Sequence, residues 1–185
     1  MAKLVSVNVG TPHELVGPNG KKVLSAIVKR SVEGPVIVGR LNLEGDRQAD
    51  LSVHVGENKA VYAYPSEHYE FWTKRFPLMY LSWGSFGENF STQGLLEKTV
   101  HVGDHFAIGT AEFEVSQPRF PCFKLGTRFS TQDMIKWFLD SERSGFYFRV
   151  LREGKVEAGN PIKRTVVKRN SQTIRSIVRS EKKTR

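Results

Sequence analysis

Apolar and polar residues alternate along eight stretches of this chain, at 3–9, 22–30, 36–40, 59–64, 99–108, 111–116, 146–152 and 155–158. A period of two sends successive side chains to opposite faces of a pleated strand, so each stretch reads as a β-strand with one face toward a core. Glycine punctuates the stretches: Gly34-Pro35, Gly45-Asp46, Gly103-Asp104, Gly109-Thr110 and Gly154-Lys155 read as turns. Glu153-Gly154, between two short strands, predicts a hairpin. Many short strands with few helices predict a mainly β fold, a β-barrel with a few peripheral helices.

Helical spacing is scarcer. Residues 66–76 follow Pro65 and place Tyr69, Trp72 and Phe76 on one face. Residues 131–141 carry Met134, Ile135, Trp137, Phe138 and Leu139, with Ser130 and Asp133 at capping-box spacing. Residues 171–180 form a weaker candidate, a short basic helix with Ile174, Ile177 and Val178 on one side. The aromatic clusters Phe71-Trp72 and Phe146-Tyr147-Phe148 suit a packed helix face and a core strand.

At 185 residues, 39% of them hydrophobic, the chain is long enough for one domain with a real core. No apolar run approaches the roughly 20 residues of a membrane span. The alternating N-terminus reads as a strand and not as a signal peptide. The net charge of +9 is concentrated at one end: residues 163–185 hold nine Lys or Arg against one Glu, leaving +1 for residues 1–162. The expected division is therefore a β-barrel domain at 1–162 and a basic C-terminal tail at 163–185, a solvated charge run or a truncated helical extension. The nearly neutral body is not a nucleic-acid-binding domain, and only the tail is expected to touch polyanions, nonspecifically.

The chain has one cysteine, Cys122. It can form no internal disulfide, Cys-rich zinc site or iron–sulfur cluster, and a cytoplasmic location is the expectation. It sits in Ser116-Gln117-Pro118-Arg119-Phe120-Pro121-Cys122-Phe123-Lys124. Two prolines stiffen the approach, and Arg119 and Lys124 place positive charge on either side, a setting that favours the thiolate. By composition alone, a buried inert cysteine is the commoner case.

Three further clusters are polar. Residues 45–56 contain Asp46, Asp50 and His54, which could suggest a metal site, although turn carboxylates more often bond local amides. Residues 84–92 contain Gly84, Gly87, Glu88 and Asn89, suited to close backbone approach to a ligand or to an ordinary loop. Lys29-Arg30 ends a strand, where a long cation could reach a phosphate. There is no serine-hydrolase elbow, P-loop or dinucleotide glycine fingerprint. A Cys–His hydrolase would need His54, His101 or His105 beside Cys122, and nothing local places one there.

In this order the pieces resemble the MOSC domain family, named from the C-terminal domain of molybdenum cofactor sulfurases. The resemblance runs from about Lys22 to Ile162 and is nearest to the small bacterial stand-alone subgroup that includes 6-N-hydroxylaminopurine reductase. It is carried by Leu43-Glu44-Gly45-Asp46-Arg47-Gln48-Ala49-Asp50 with His54, by residues 59–65, by Gly84-Ser85-Phe86-Gly87-Glu88-Asn89, by Val102-Gly103-Asp104, and by the segment around Cys122. Two departures stand out: Val55 where the family usually has glycine, and Gly87 where larger reductases of the superfamily have arginine.

The resemblance implies a MOSC-type β-barrel holding a molybdenum–pterin cofactor. It makes Cys122 the metal ligand and catalytic residue and places Lys29, Arg47, His54, Asn89 and Arg119 around the anionic cofactor. The implied reaction is two-electron reduction of N-hydroxylated compounds, such as N-hydroxylated purine bases, to amines. No second redox centre is recognisable, so electrons would come from a separate reductase. The competing readings are a sulfur-carrier domain with a persulfide on Cys122 and a non-catalytic binding module.

Overall fold

The computed structural model describes residues 1–17, 20–47 and 56–184. Its centre is one eight-stranded sheet. The strands, in chain order, are β1 (Lys3–Val9), β4 (Arg30–Val32), β6 (Val61–Pro65), β7 (Phe90–Gln93), β8 (His105–Ile108), β9 (Ala111–Pro118), β10 (Phe146–Arg152) and β12 (Ile162–Val166). Their order across the sheet is β12-β8-β9-β10-β6-β7-β1-β4, antiparallel except for the parallel pair β6–β7. Two small sheets flank it: the hairpin of β2 (His13–Val16) with β3 (Lys22–Ser25), and β5 (Val36–Val38) with β11 (Gly154–Val156).

The fold is mainly β with a few helices, and the expected closed barrel is corrected to a curled open sheet. The short β4 pairs only with Val7, Asn8 and Val9, leaving the start of β1 available. The chain entering β12 uses it: Ile162 N donates to Ala2 O at 2.9 Å, Leu4 N to Asn160 O at 2.9 Å and Gly159 N to Leu4 O at 2.7 Å. These bonds bend the sheet back toward itself. β12 and β4 nevertheless remain its two ends among the described residues.

Strand β6 shows why alternation mattered. All five of its residues are buried, because it has a core on each face. Val61 and Ala63 join the sheet core with Phe90, Phe106, Phe113, Phe146 and Phe148. Tyr62 and Tyr64 enter a second, aromatic core. That core is closed by α1 (Tyr69–Arg75), α2 (Phe123–Arg128) and α3 (Asp133–Ser141) through Tyr69, Trp72, Leu125, Met134 and Phe138. Its polar tips find partners: Trp72 Nε1 donates to Tyr64 Oη at 2.7 Å and Tyr62 Oη to Ser144 O at 2.8 Å.

Several local expectations change. Residues 22–30 are two strands with a break at 26–29, and only 105–108 of the 99–108 stretch is a strand. The Glu153-Gly154 hairpin does not form, since β11 pairs with β5. Gly154 instead passes beneath the β8–β9 turn, where a Cβ would stand 2.6 Å from the Thr110 carbonyl carbon. Lys155 N donates to Thr110 Oγ1 at 2.8 Å there. The capping box also fails: Ser130 has φ 54°, and α3 has no side-chain cap bond. Helix α2 was not anticipated, because six residues show too little periodicity.

The basic end of the chain is part of the fold and not a solvated tail. The proposed boundary at 162/163 cuts through β12, an edge strand of the main sheet. Beyond it, α4 (Ile174–Thr184) buries Ile174 and Val178. The buried Asp104 anchors the connection, accepting from Lys168 N at 2.8 Å and His101 N at 2.9 Å. Glu142, just after α3, accepts from Arg175 Nε at 2.7 Å and Arg179 Nε at 2.8 Å. No described helix is long and apolar enough to cross a membrane.

Two outcomes follow from this packing. Ile174→Ala should cost about 2–4 kcal/mol in urea unfolding, because it empties a fully buried site. Burial alone would raise the Glu142 carboxyl, but the bonds from Arg179 and Arg175 outweigh it and hold the group below its ordinary value of 4.5. A depressed carboxyl stabilises above its unfolded pKa and loses that contribution as pH falls through the folded one. The stability gap between the parent and Glu142→Gln should therefore be present at pH 6 and close as pH falls below about 4.5, read from melts across that range.

Candidate functional site

The break at 26–29 and the loop at 84–89 lie against each other, and two glycines make the contact possible. Gly84 has φ 87°, and a Cβ there would stand 2.7 Å from the Lys29 carbonyl oxygen. Gly87 has φ 84°, and a Cβ would meet Ile27 Cγ1 at 2.9 Å. The close approach is thus to the protein's own chain. No side chain fits at 87 without displacing Ile27, which accounts for glycine where larger reductases have arginine.

Glu88 holds the loop from within. Its buried carboxylate accepts from Gly84 N at 2.8 Å, Phe86 N at 3.1 Å and Ser91 Oγ at 2.9 Å, and from the Tyr69 hydroxyl. Burial pushes this carboxyl upward, and the bonds from Tyr69, Gly84 and Ser91 oppose that shift. The neighbouring Asn89 ties β6, β1 and the Asp46 segment through its amide: Tyr62 N donates to Oδ1 at 3.1 Å, and Nδ2 donates to Asn8 O at 3.3 Å and to Asp46 Oδ2 at 2.8 Å.

Asp46 is the meeting point. Besides Asn89, it accepts from Gly10 N at 2.8 Å and pairs with the Lys29 ammonium. Both partners of the ion pair are buried. Burial lowers the Lys29 pKa, and the Asp46 charge and hydrogen bond oppose that. The carboxylate thus fixes the Lys29 chain direction at the wall of a cavity of about 130 Å³.

The opposite wall comes from the cysteine segment. β9 ends at Pro118, and Arg119 follows with only 6% exposure. Its guanidinium carbon lies 5.4 Å from the Tyr62 ring centroid and 5.0 Å from that of Phe138. Its Nη1 is buried with no hydrogen-bond partner among the described residues. Cys122 is extended at the head of α2 and makes no side-chain cap bond, so the partly exposed thiol is not consumed structurally.

Cys122, Lys29, Arg47, Asn89 and Arg119 all line this one cavity, with Asp46, Lys59, Tyr62, Gly87, Lys124 and Tyr147 among their neighbours. Five cations against one carboxylate make it an anion-attracting hollow beside a thiol. Arg47 is exposed, at the rim. Asn89 has both amide hydrogens engaged, so the structure makes it a strut for Asp46 more than a free ligand contact. His54 and Asp50 lie outside the described residues, as does Val55. His101 and His105 do not line the cavity; they pair with Asp104 at 3.6 Å and Glu114 at 3.4 Å. A Cys–His pair is therefore absent among the described residues. So is any cluster of three His, Cys, Asp or Glu side chains suited to a metal. A metal here would have to arrive in its own chelating ligand and take one thiolate from the protein.

A family model for the MOSC domain matches residues 50–163. The chain belongs to the MOSC domain family. MOSC domains are generally associated with molybdenum-cofactor binding. YflK of Bacillus subtilis is 45% identical over 156 residues, 84% of this chain and 70% of that protein. The crystal structure of YiiM from Geobacillus stearothermophilus is similar with a TM-score of 0.80 and 36% identity, covering 98% of this chain and 84% of that one. A reductase of Gibberella moniliformis is 35% identical over 150 residues, 79% of this chain but 26% of that much longer protein.

Sequence reasoning passed over Asp46 as a local turn residue and Tyr147 as a core aromatic, and gave Tyr62 no role of its own. The alternation along β6 and β10 held the signal for both tyrosines, since each points away from the sheet core. Asp46→Ala should cost about 3–5 kcal/mol, because it leaves the Lys29 charge buried and unpaired. In that background Lys29→Met should cost far less than in the parent, giving a coupling of about 1–3 kcal/mol in a double-mutant cycle of urea unfolding.

Proposed function

We propose that this MOSC protein binds a molybdenum–pterin cofactor and reduces N-hydroxylated compounds to amines. The observation that carries the reading is the convergence of Cys122, Arg119, Lys29 and Arg47, from separate chain segments, on one cationic hollow. The donor set fits the group. A soft thiolate suits a polarizable metal, and the cations suit an anionic pterin phosphate. The hollow would take one end of such a cofactor, with Arg47 and Lys124 among the cations able to meet its negative charge.

When bound, the cofactor supplies two-electron redox chemistry. The balanced reaction is R–NHOH with two electrons and two protons giving R–NH₂ and water. Cys122 would ligate the metal. Lys29 and Arg47 would hold the cofactor's negative charge, with Asp46 and Asn89 keeping Lys29 in place. Arg119 would hold positive charge against the reacting end. Aromatic walls from Tyr62 and Tyr147 would exclude water on that side. The electrons would come from a separate reductase. The Gibberella reductase supports that view, because a chain like this one accounts for only 26% of its length.

The test is elemental analysis of protein made in a host that synthesises the cofactor, followed by turnover of an N-hydroxylated purine with a chemical reductant. Near-stoichiometric molybdenum and turnover are expected. Cys122→Ser should lower turnover by at least about 100-fold, since a hard hydroxyl replaces a soft metal ligand. Cyanolysable sulfur on Cys122 in metal-free protein would instead establish the sulfur-carrier reading. Normal turnover by the serine variant with bound molybdenum would remove Cys122 from the mechanism.

A further inference from the structure

A second cavity, of about 480 Å³, shares no lining residue with the Cys122 hollow. Its wall holds a buried pair that the proposed reaction does not use: His68, 8% exposed, and Glu97, 3% exposed. The ring nitrogen Nε2 of His68 lies 2.9 Å from Glu97 Oε1 and 2.8 Å from Oε2. A carboxylate only accepts, so Nε2 carries the ring hydrogen and Nδ1 is left with its lone pair. Both groups are fixed from behind. Gly145 N donates to Glu97 Oε1 at 2.7 Å, and the buried Tyr64 ring meets the imidazole edge-on at 5.3 Å between centroids. Nδ1 makes no hydrogen bond among the described residues, yet it is not one of the buried atoms left without a partner. It is therefore exposed, and the cavity is what His68 lines.

An imidazole held in one tautomer by a carboxylate, with its other nitrogen open to a cavity, is the arrangement of a general base. We infer that His68 is the catalytic base of a second, hydrolytic site, with Glu97 as its positioning residue, and that the substrate class is a small carboxylic ester bearing a negative charge. The charge preference comes from the walls. Glu97 is taken up by His68, Glu70 by Lys74 at 2.6 Å, Glu142 by Arg175 at 2.7 Å, and Glu67 accepts from Gly94 N at 2.7 Å. Two lining cations have no carboxylate partner among the described residues: Lys98, and Arg143, which donates to Ser141 O at 3.2 Å and lies over the Phe71 ring at 3.9 Å. In the reaction Nδ1 takes a proton from water as the water oxygen bonds to the ester carbon. The C–O bond to the leaving alcohol then breaks, and that oxygen receives the proton. The products are the acid and the alcohol, and water is the only co-reactant. The inference goes beyond the proposed function and does not rest on it.

The test uses Cys122→Ala protein, which removes the thiol as a competing acyl acceptor and the proposed metal ligand with it. The probes are 4-acetoxy-3-nitrobenzoate, an anionic ester, and the neutral p-nitrophenyl acetate. Release of the nitrophenol well beyond one equivalent per chain is expected. His68→Gln keeps a donor toward Glu97 but removes the base, so kcat for the anionic ester should fall by about 100-fold, the low end of what a general base contributes. Glu97→Gln should lower kcat by about tenfold with KM unchanged, because the side chain orients the base without touching substrate. Arg143→Met should raise KM for the anionic ester alone. Diethyl pyrocarbonate, which acylates unprotonated imidazole, should modify His68 and stop turnover in step, and hydroxylamine should restore both.

Release that stops at one equivalent, or parental turnover in a His68→Gln protein that melts like its parent, would overturn the site. If that variant melts far lower, diethyl pyrocarbonate decides: turnover that survives modification of His68, or a His68 the reagent cannot reach, overturns it equally. A KM that rises for both esters in Arg143→Met overturns the substrate class. A Glu97→Gln effect confined to the melt makes Glu97 a structural prop and overturns its positioning role.

Discussion

The buried Asp46 carboxylate holds the site together. One oxygen takes the Gly10 amide and the Lys29 ammonium, and the other takes the Asn89 amide. These groups come from the end of β1, from the break between β3 and β4, and from the loop before β7. None of those segments has enough sheet pairing of its own to fix a side chain to within an ångström. A carboxylate with several charge-assisted bonds in a low-dielectric setting does so, because each bond strengthens as water is excluded.

The same geometry explains why the cavity lies where it does. Strand β6 separates two cores, and Tyr62 stands on the aromatic side at the edge of the hollow. The loop at 84–89 is pressed onto residues 27–29 by two glycines, Gly84 against the Lys29 backbone and Gly87 against Ile27, where any side chain would displace its neighbour. Glu88 keeps that loop closed from inside through four donors. Lys29 is therefore positioned by a buried carboxylate placed behind it. That arrangement keeps positive charge near the cavity while satisfying most of the buried polar groups. Arg119 differs: it is backed by aromatic faces, and its Nη1 has no hydrogen-bond partner among the described residues.

Strands β1 and β10 were legible to the residue, because an uninterrupted period-two pattern has one structural meaning. So were the Gly109-Thr110 turn between β8 and β9 and the two helices with strong aromatic faces. The failures share a cause. Strands β2, β4, β7 and β12 are short or polar, and their pairing partners supply what their own sequences lack. The charge of the last 23 residues pointed to a solvated run, yet Ile174 and Val178, legible on one side of a short basic helix, are buried. Asp104 looked like a turn residue and is the anchor for that docking.

By itself the sequence determined the β-rich class, the singularity of Cys122 and its cationic flanks, and the segments that resemble the MOSC family. These are local properties, written in periodicity, in residue type and in the order of motifs. The tertiary structure decided that the sheet curls without closing, that the basic end packs onto it, and that Lys29, Arg47, Asn89, Arg119 and Cys122 share one hollow. It also decided which of them are already committed to internal partners. Those outcomes depend on contacts between residues tens of positions apart, and such contacts leave no periodic trace in the chain.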